Sequence, residues 1–506
     1  MSVQSGSEQL GLLGASHGSR FQNGKLFLCC TFALLAAFSM GLGLGYSSPA
    51  DPDLKDSGIL NDDQVTWFSA LFAVGAIGGG PIAGLLLDLW GRKLTLMSCA
   101  LPFVVGWVLL ATCTAVPLLY IGRILTGIGA GMNSLVTPVY IAEMSTPQLR
   151  GLLGASFQLV ITLGILVVYA LGIPMNHVWL AIVGAGVAAA LVVLMSFMPD
   201  TPRFYLIRHK RERALDVLRW LRGSTADVDG ECREVEDALD NSSEKFSIRE
   251  FGQRSLLKPL LISVMLMIFQ QCSGINAVMF NAKDIMQSAV ENISADVATI
   301  ILAAVQVGAT FLSVILMDVA GRKILLTVAG ILMAVSSGTF GLYYQLKANE
   351  KENMTTTIAP AFELLGNATV APTAAGQPDL TWLSLVSLII YIIGFSIGWG
   401  PIPWLIMSEI FPTKARGAAS AIAAAVNWLF AFIVTKTFVS LQQGLTEQGV
   451  FWLYAGVCII GVIFVIFLVP ETKGKTLEEI EAVFTGQALH SHLPSGSDNK
   501  IGFIND

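Results

Sequence analysis

Two six-residue patterns divide this chain into halves. Asp88-Leu-Trp-Gly91-Arg92-Lys93 recurs as Asp318-Val-Ala-Gly321-Arg322-Lys323, and each copy lies between two long apolar runs. A second pair recurs in the same order: Glu143 stands seven residues before Arg150, and Glu409 seven before Arg416. A third closes each half, Pro199-Asp-Thr-Pro-Arg203 and Pro470-Glu-Thr-Lys473. The chain therefore reads as two copies of one membrane unit in parallel order, and such repeats fix architecture before local propensity does. The spacing between copies is uneven. It is 230 residues from Asp88 to Asp318, 266 from Glu143 to Glu409 and 271 from Pro199 to Pro470. The jump of 36 places an insertion in the second copy, and the polar stretch 346–380 fits it.

Charged residues make up only 13% of the chain and hydrophobic ones 54%, against roughly 25% charged in soluble domains. A spanning helix needs about 20 mainly apolar residues. Twelve runs qualify: 25–46, 66–87, 94–114, 117–140, 151–173, 177–198, 258–281, 296–317, 324–345, 381–406, 418–440 and 450–469. Lipid cannot satisfy an open backbone, so these runs are helical. The expected fold class is an all-α membrane protein, with twelve transmembrane helices in two pseudo-symmetric six-helix bundles.

The basic residues orient the chain. Segment 199–257 holds eleven Lys and Arg, and the insertion 346–380 holds two. The side carrying 199–257 is therefore expected to be cytosolic. The resulting organisation is a cytosolic tail over 1–24, a first bundle over 25–198, a cytosolic linker over 199–257, a second bundle over 258–469 and a cytosolic tail over 470–506. The first 24 residues are polar and Gly/Ser-rich, so they do not read as a signal peptide. In the linker, Arg203 to Arg222 reads as a short amphipathic helix, and Glu231 to Leu239 as a second candidate. A latch beneath the bundles and a solvated linker both fit that pattern.

Short patterns add addresses. Asn353-Met-Thr and Asn367-Ala-Thr are glycosylation acceptors on the lumenal side. Asn292-Ile-Ser shares that side but lies close to the membrane, and Asn241-Ser-Ser is cytosolic. Glu8-x-x-x-Leu12-Leu13 matches an acidic dileucine, a signal read by clathrin-adaptor-type sorting proteins. It points to endosomal or lysosomal membrane, with the plasma membrane open if the signal is hidden.

Enzyme chemistry has no foothold in the sequence. Gly41-Leu-Gly43-Leu-Gly45 lies inside an apolar run, where close helix packing explains it better than a dinucleotide loop. Gly75, Gly78, Gly79, Gly80 and Gly84 read the same way. The five histidines lack metal spacing, and the seven cysteines form no Cys-x-x-Cys. No cofactor, metal or nucleic-acid partner is implied, and there is no phosphate-binding loop for ATP.

Asp88, Glu143, Asp318 and Glu409 sit at cytosolic helix ends beside Arg92, Arg150, Arg322 and Arg416. A bare carboxylate at the bilayer centre costs several kcal/mol. At the ends, these acids are expected to pair across the bundles as a gating network. The first run holds no acid between Lys25 and Asp51, which favours an uncoupled carrier, and Arg123 lies within the fourth run near its lumenal end.

The mid-membrane polar residues are mainly neutral amides: Gln158, Gln270, Gln271, Asn276, Gln306 and Asn427. Amides offer donors and acceptors together, as sugar hydroxyls require, without the cost of buried charge. Trp404 and Trp428 can cover the C–H face of a ring. The tenth run is interrupted by Gly398-Trp-Gly400-Pro401-Ile-Pro403, and the seventh by Ser273-Gly274. Broken helices in a repeat transporter point to its binding site and gates.

Together these motifs resemble the sugar porter family of the major facilitator superfamily, over nearly all of 25–484. The resemblance is carried by Gly127-x-Gly129-x-Gly131 through Glu143 and Arg150, Gln270-Gln271-Cys-Ser-Gly-Ile-Asn276, Gly400-Pro-Ile-Pro-Trp404 and Pro470-Glu-Thr-Lys-Gly474. The ninth-loop acceptor patterns, the dileucine and Gly-Trp-Gly before Pro-Ile-Pro-Trp resemble the class III facilitative hexose transporters. The resemblance implies a small-molecule sugar substrate, probed by Gln158, Gln270, Gln271, Asn276, Gln306, Trp404 and Asn427, with Phe395 and Trp428 as lining aromatics. Gln306 stands where better-known relatives carry Asn, Ser396 where some carry Glu, and Cys272 where Leu is usual. The expected activity is uncoupled hexose transport, glucose first, by alternating access. A proton–sugar symporter and a non-transporting sugar sensor are the alternatives.

Overall fold

The structure is a computed structural model that describes residues 23–473 apart from 147–148, 224–225, 242–253, 290–293, 365–380 and 412–414, together with 484. Glu8, Leu12, Leu13, Asn292 and Asn367 lie outside the described residues, as do the side chains of Asp318, Asn353 and Arg416.

The first half runs α1 (Gly24–Gly45), α2 (Ser47–Asp56), α3 (Asp62–Trp90), α4 (Arg92–Ser98), α5 (Ala100–Thr112), α6 (Val116–Met144), α7 (Arg150–Leu171) and α8 (His177–Ser196). Three linker helices follow: α9 (Pro202–Ile207), α10 (Arg211–Arg222) and α11 (Val228–Asn241). The single helix expected over Arg203 to Arg222 is therefore two, parted at His209 with φ 55°. The second half runs α12 (Arg254–Cys272), α13 (Ile275–Phe280), α14 (Ala282–Ala289), α15 (Ala295–Ala320), α16 (Arg322–Leu364), α17 (Thr381–Gly394), a π-helical turn (Phe395–Trp399), α18 (Ile402–Ile410) and α19 (Arg416–Leu468).

Among the described residues, eleven stretches are long and apolar enough to cross a membrane. The last is 52 residues long and turns back at Thr446, where φ is 68°. Divided there, it supplies two spans, which restores the twelve expected. The insertion departs from expectation: α16 continues as helix to Leu364, so Asn353 lies on a helical extension rather than in a loop.

Each half reuses one turn. Gly91 and Gly321 take φ of 88° and 91°, a left-handed region that side chains resist. Each turn starts a helix whose first N–H groups need acceptors. The acid of the third motif supplies them. Asp200 Oδ1 accepts from Arg92 N and Lys93 N, both at 3.1 Å. Glu471 accepts from Arg322 N and Lys323 N, both at 3.0 Å. The first and third motifs are thus one structural unit, repeated.

Small residues set helix approach in the first half. A Cβ at Gly75 would meet Ile124 O at 2.0 Å, and one at Gly127 would meet Phe72 O at 2.0 Å, so α3 and α6 pack backbone to backbone. Gly78 and Gly80 face open space instead, against the packing reading.

The halves meet on the side opposite the linker helices. Tyr169 Oη of α7 donates to Met279 O of α13 at 2.7 Å, and Lys283 N of α14 donates to Ser48 Oγ of α2 at 3.2 Å. Lys436 of α19 pairs with Asp63 of α3 at 3.4 Å and lies 4.4 Å from the Trp67 ring. One core of buried side chains crosses both halves there, from Phe72 and Trp107 to Phe280 and Trp428. Toward the linker the first half has a core of its own, around Leu26, Tyr140, Met144 and Met195. The molecule is closed on the side away from the linker.

Candidate functional site

Four of the expected amides form one hydrogen-bonded group in the second half. Gln271 Nε2 donates to Asn427 Oδ1 at 3.1 Å, and Asn427 Nδ2 donates to Gln270 Oε1 at 2.6 Å. Asn276 Nδ2 donates to Gln271 Oε1 at 2.6 Å. Gln270, Gln271 and Asn427 are buried and Asn276 half-buried. Within a low-dielectric interior such a network polarises its members and fixes their orientation.

The network is anchored to the broken tenth span. Gln270 Nε2 donates to Trp399 O at 2.7 Å and to Gly400 O at 2.9 Å. Trp399 O is available because Pro403, four residues on, carries no N–H to take it in the next turn. The break appears locally as a π-helical turn, a wider helix whose ladder is already interrupted. The seventh span breaks at Gly274, with φ 94°. The carbonyl exposed there, Ser273 O, accepts from Tyr391 Oη at 2.9 Å.

The other expected residues do not join this hydrogen-bonded group. Gln306 is buried on α15 and its Oε1 has no partner among the described residues. Ser396 Oγ and Trp428 Nε1 are likewise buried and unpaired. Buried polar atoms are normally satisfied, so these three are the atoms that a polar ligand or water can complete. Phe395 and Trp428 are buried, and Trp428 packs edge-on to Phe72 of the other half with ring centroids 6.2 Å apart. Trp404 is half-buried on α18. Gln158 is half-buried on α7 and makes no side-chain hydrogen bond among the described residues.

Among the described residues, the motif charges that form ion pairs do so within a bundle rather than across the two as the sequence reading expects. Arg92 Nη2 meets Glu143 Oε1 at 2.8 Å within the first half, and Arg322 Nη2 meets Glu409 Oε1 at 3.3 Å within the second. Thr201 Oγ1 also donates to Glu143, at 2.6 Å. The reason is the shared turn: once Gly91 and Asp200 fix the start of α4, Arg92 points along α6 of its own bundle. Asp88 is exposed at the end of α3, where its carbonyl accepts from Arg208 Nη2 at 3.1 Å. Arg150 is exposed at the start of α7, with no ion pair among the described residues.

Outside the spans, burial raises the Asp200 carboxyl although three backbone N–H groups oppose it. Burial also works to raise Glu471, but four backbone N–H groups outweigh it and hold it below the usual range. Sequence reasoning gave Asp200 and Glu471 no role, and it missed the carbonyls of Trp399 and Gly400. A helix-capping acid marks Asp200 and Glu471, and a proline four residues on, Pro403, marks the Trp399 carbonyl. The residue groups described as able to hold a metal number none among the described residues.

Comparison with known proteins accounts for this arrangement. The family model described as "Sugar (and other) transporter" matches residues 32–484. The chain belongs to the sugar transporter family. It is 40% identical over 491 residues to the facilitated glucose transporter member 8 of Bos taurus, covering 96% of this chain and all of that one. It is 38% identical to the facilitated trehalose transporter Tret1 of Culex quinquefasciatus, over 90% of this chain and 87% of that one. Among solved structures, the proton:xylose symporter XylE superposes with a TM-score of 0.72 at 27% identity, covering 91% of this chain and 99% of that one. The fold is that of the major facilitator superfamily, and the likeness to member 8 agrees with the class III resemblance read from the motifs. The chain is a multi-pass membrane transporter of this family rather than an enzyme.

Proposed function

We propose that this protein carries a hexose, glucose first, down its gradient by alternating access. One observation carries the reading: a network of four neutral amides from α12, α13 and α19, seated against carbonyls of a broken span. It offers donors and acceptors for hydroxyls and holds no ionised group. Gln306, Ser396 and Trp428 complete the site from α15, the π-helical turn and α19, and Gln158 of α7 is the contribution we assign to the other half. The pairs Arg92–Glu143 and Arg322–Glu409 stiffen each bundle so that it moves as a body. The linker side is cytosolic on the charge rule. The dileucine Glu8, Leu12 and Leu13 directs the protein to endosomal or lysosomal membrane through clathrin-adaptor-type proteins, and Asn353 and Asn367 accept glycans.

A second reading, a disaccharide of two glucoses, draws on the likeness to the mosquito trehalose transporter. Proteoliposomes loaded with the purified chain test both. Labelled glucose should equilibrate without an imposed pH gradient and without exceeding the outside concentration. Trehalose uptake with no glucose uptake would replace the hexose assignment, and uphill uptake driven by a pH gradient would replace uniport by symport.

A further inference from the structure

Asp51 lies on α2, beyond the end of the first span, at the seam where the halves close. It is 4% exposed. Ser69 Oγ of α3 donates to Asp51 Oδ2 at 2.5 Å, and Oδ1 has no hydrogen-bond partner among the described residues. The cation in the same pocket, Arg123 of α6, is engaged elsewhere. Its guanidinium donates to Gly43 O at 3.1 Å, Phe68 O at 3.3 Å and Ser47 Oγ at 2.7 Å. It also lies 5.0 Å from the Phe72 ring and 5.1 Å from that of Phe68. Asp51 has no ion pair among the described residues. A carboxylate so buried, with one hydrogen bond, is expensive to keep ionised.

The other charged and titratable groups around Asp51 form no ion pair with it, and the attraction of Arg123 and Lys55 does not offset its burial. On its own helix, Asp53 is held by His177 of α8 at 2.6 Å, and Lys55 pairs with Asp62 of α3 at 3.2 Å. The Tyr46 hydroxyl donates to His177 O at 2.9 Å, and that of Tyr169 is committed to Met279 O. From the other half, Lys283 pairs with Asp296 at 2.8 Å. Its neighbour Asp284 is a carboxyl raised by burial, and it acts on Asp51 as a like charge. Closure therefore brings two carboxyls from opposite halves together where no cation is paired to Asp51. Lys283 N bonded to Ser48 Oγ marks how near α14 comes to α2.

We propose that Asp51 is a proton-binding site that latches the carrier closed on the side opposite the linker. Protonated, it stays buried beside Ser69. Ionised, it repels Asp284 and seeks water, and α2 parts from α14. Burial, the largest cause, lifts the Asp51 carboxyl from 3.8 to about 8 in the closed form. The open form exposes it and restores the ordinary value. Between those values the closed form holds a proton that the open form lacks. Each unit of acidification in that window favours closure by up to about tenfold. Below the window both forms are protonated, and above it the closed form carries a buried charge. Acidification on that side thus slows exchange in either direction, without a proton being carried.

The effect on transport rests on the carrier reading, but the latch can be read without it. Spin labels on Asn61→Cys, just before α3, and Gln443→Cys of α19, with Cys113→Ser, report the distance between the halves on the closed side in the full chain reconstituted in nanodiscs. The wild-type background should hold a short distance at about pH 5.5 and gain a longer one at about pH 8.5. Asp51→Asn should keep the short distance at both. Ser69→Ala removes a bond that favours the ionised form, so its transition should move to higher pH. Distances that ignore pH in the parent, or an undiminished pH response in Asp51→Asn, overturn the latch. Glucose exchange in parallel vesicles separates the two claims. Exchange with pH-insensitive distances sinks the latch alone, and pH-sensitive distances without exchange sink the hexose reading alone.

Discussion

Gln271 Oε1 accepts from Asn276 Nδ2 at 2.6 Å across the break at Gly274, so a single side-chain bond joins α12 to α13. The same Gln271 donates to Asn427 of α19. Gln271 therefore ties α13 to α12 and α19 while presenting an amide to the site. Gln271→Ala should leave Asn276 and Asn427 each short of a partner, a loss of about 1–3 kcal/mol. Labelled-glucose uptake in proteoliposomes should show its apparent affinity weakened about tenfold or more, with the protein still folded by gel filtration. Unchanged uptake kinetics would remove Gln271 from the site.

Gln270 has a different task. Both of its donor bonds run to backbone carbonyls at the interrupted span, Trp399 O and Gly400 O. Gln270→Glu keeps the acceptor for Asn427 and loses the donors. It should lower maximal transport more than apparent affinity, because the broken span loses its brace rather than its ligand contacts. A change in affinity alone would place Gln270 on the sugar instead.

The site and its scaffold were unequally legible from the sequence. Repeated motifs and twelve apolar runs foretold the architecture, because lipid leaves a spanning chain little choice but helix. The amides Gln270, Gln271, Asn276 and Asn427 stood out as neutral polar groups at membrane depth, and the structure brings them together. Their partners did not stand out, since a carbonyl such as Trp399 O carries no side-chain signature. The motif charges misled for a related reason. Arg92 and Glu143 are 51 positions apart in the chain, and only the turn at Gly91 decides which bundle Arg92 faces. Asp51 was passed over because it lies past the first run, where an acid looks ordinary until tertiary packing buries it.

Gly274 admits no side chain as built. Its φ is 94°, and a Cβ there would meet the Tyr454 ring at 2.4 Å. Gly274→Ala should therefore cost about 1–3 kcal/mol of backbone strain and contact, seen as a lowered Tm of the detergent-solubilised protein. Adding Tyr454→Ala should recover the part due to contact and leave the part due to φ. Equal Tm values for Gly274→Ala and the parent would show that the break can relax.

Glu471 should give a stability contribution that depends on pH in a calculable direction. Its carboxyl is held below the ordinary 4.5 by the backbone N–H groups of Lys473, Arg322, Lys323 and Thr472, against the opposing effect of burial. A depressed value means that the folded state prefers the ionised form. The stabilisation is then present above the ordinary carboxylate range and lost as pH falls through it. Glu471→Gln should lower Tm at neutral pH, and the gap to the parent should close on acidification. A gap that persists in acid would mean that Glu471 acts by shape rather than by charge.

The sorting reading is separable from all of this. Leu12 and Leu13 precede the first span in the chain, so Leu12→Ala with Leu13→Ala should leave transport per molecule unchanged. A short exposed signal of this kind is read by a receptor rather than by the fold. Removing it should move the protein from internal membranes to the cell surface, measured by surface biotinylation and by glucose uptake of intact cells. Both readouts should rise together. Surface protein without added uptake would separate the sorting signal from the transport reading, and an unaltered internal pattern would show that Glu8, Leu12 and Leu13 are not read at all.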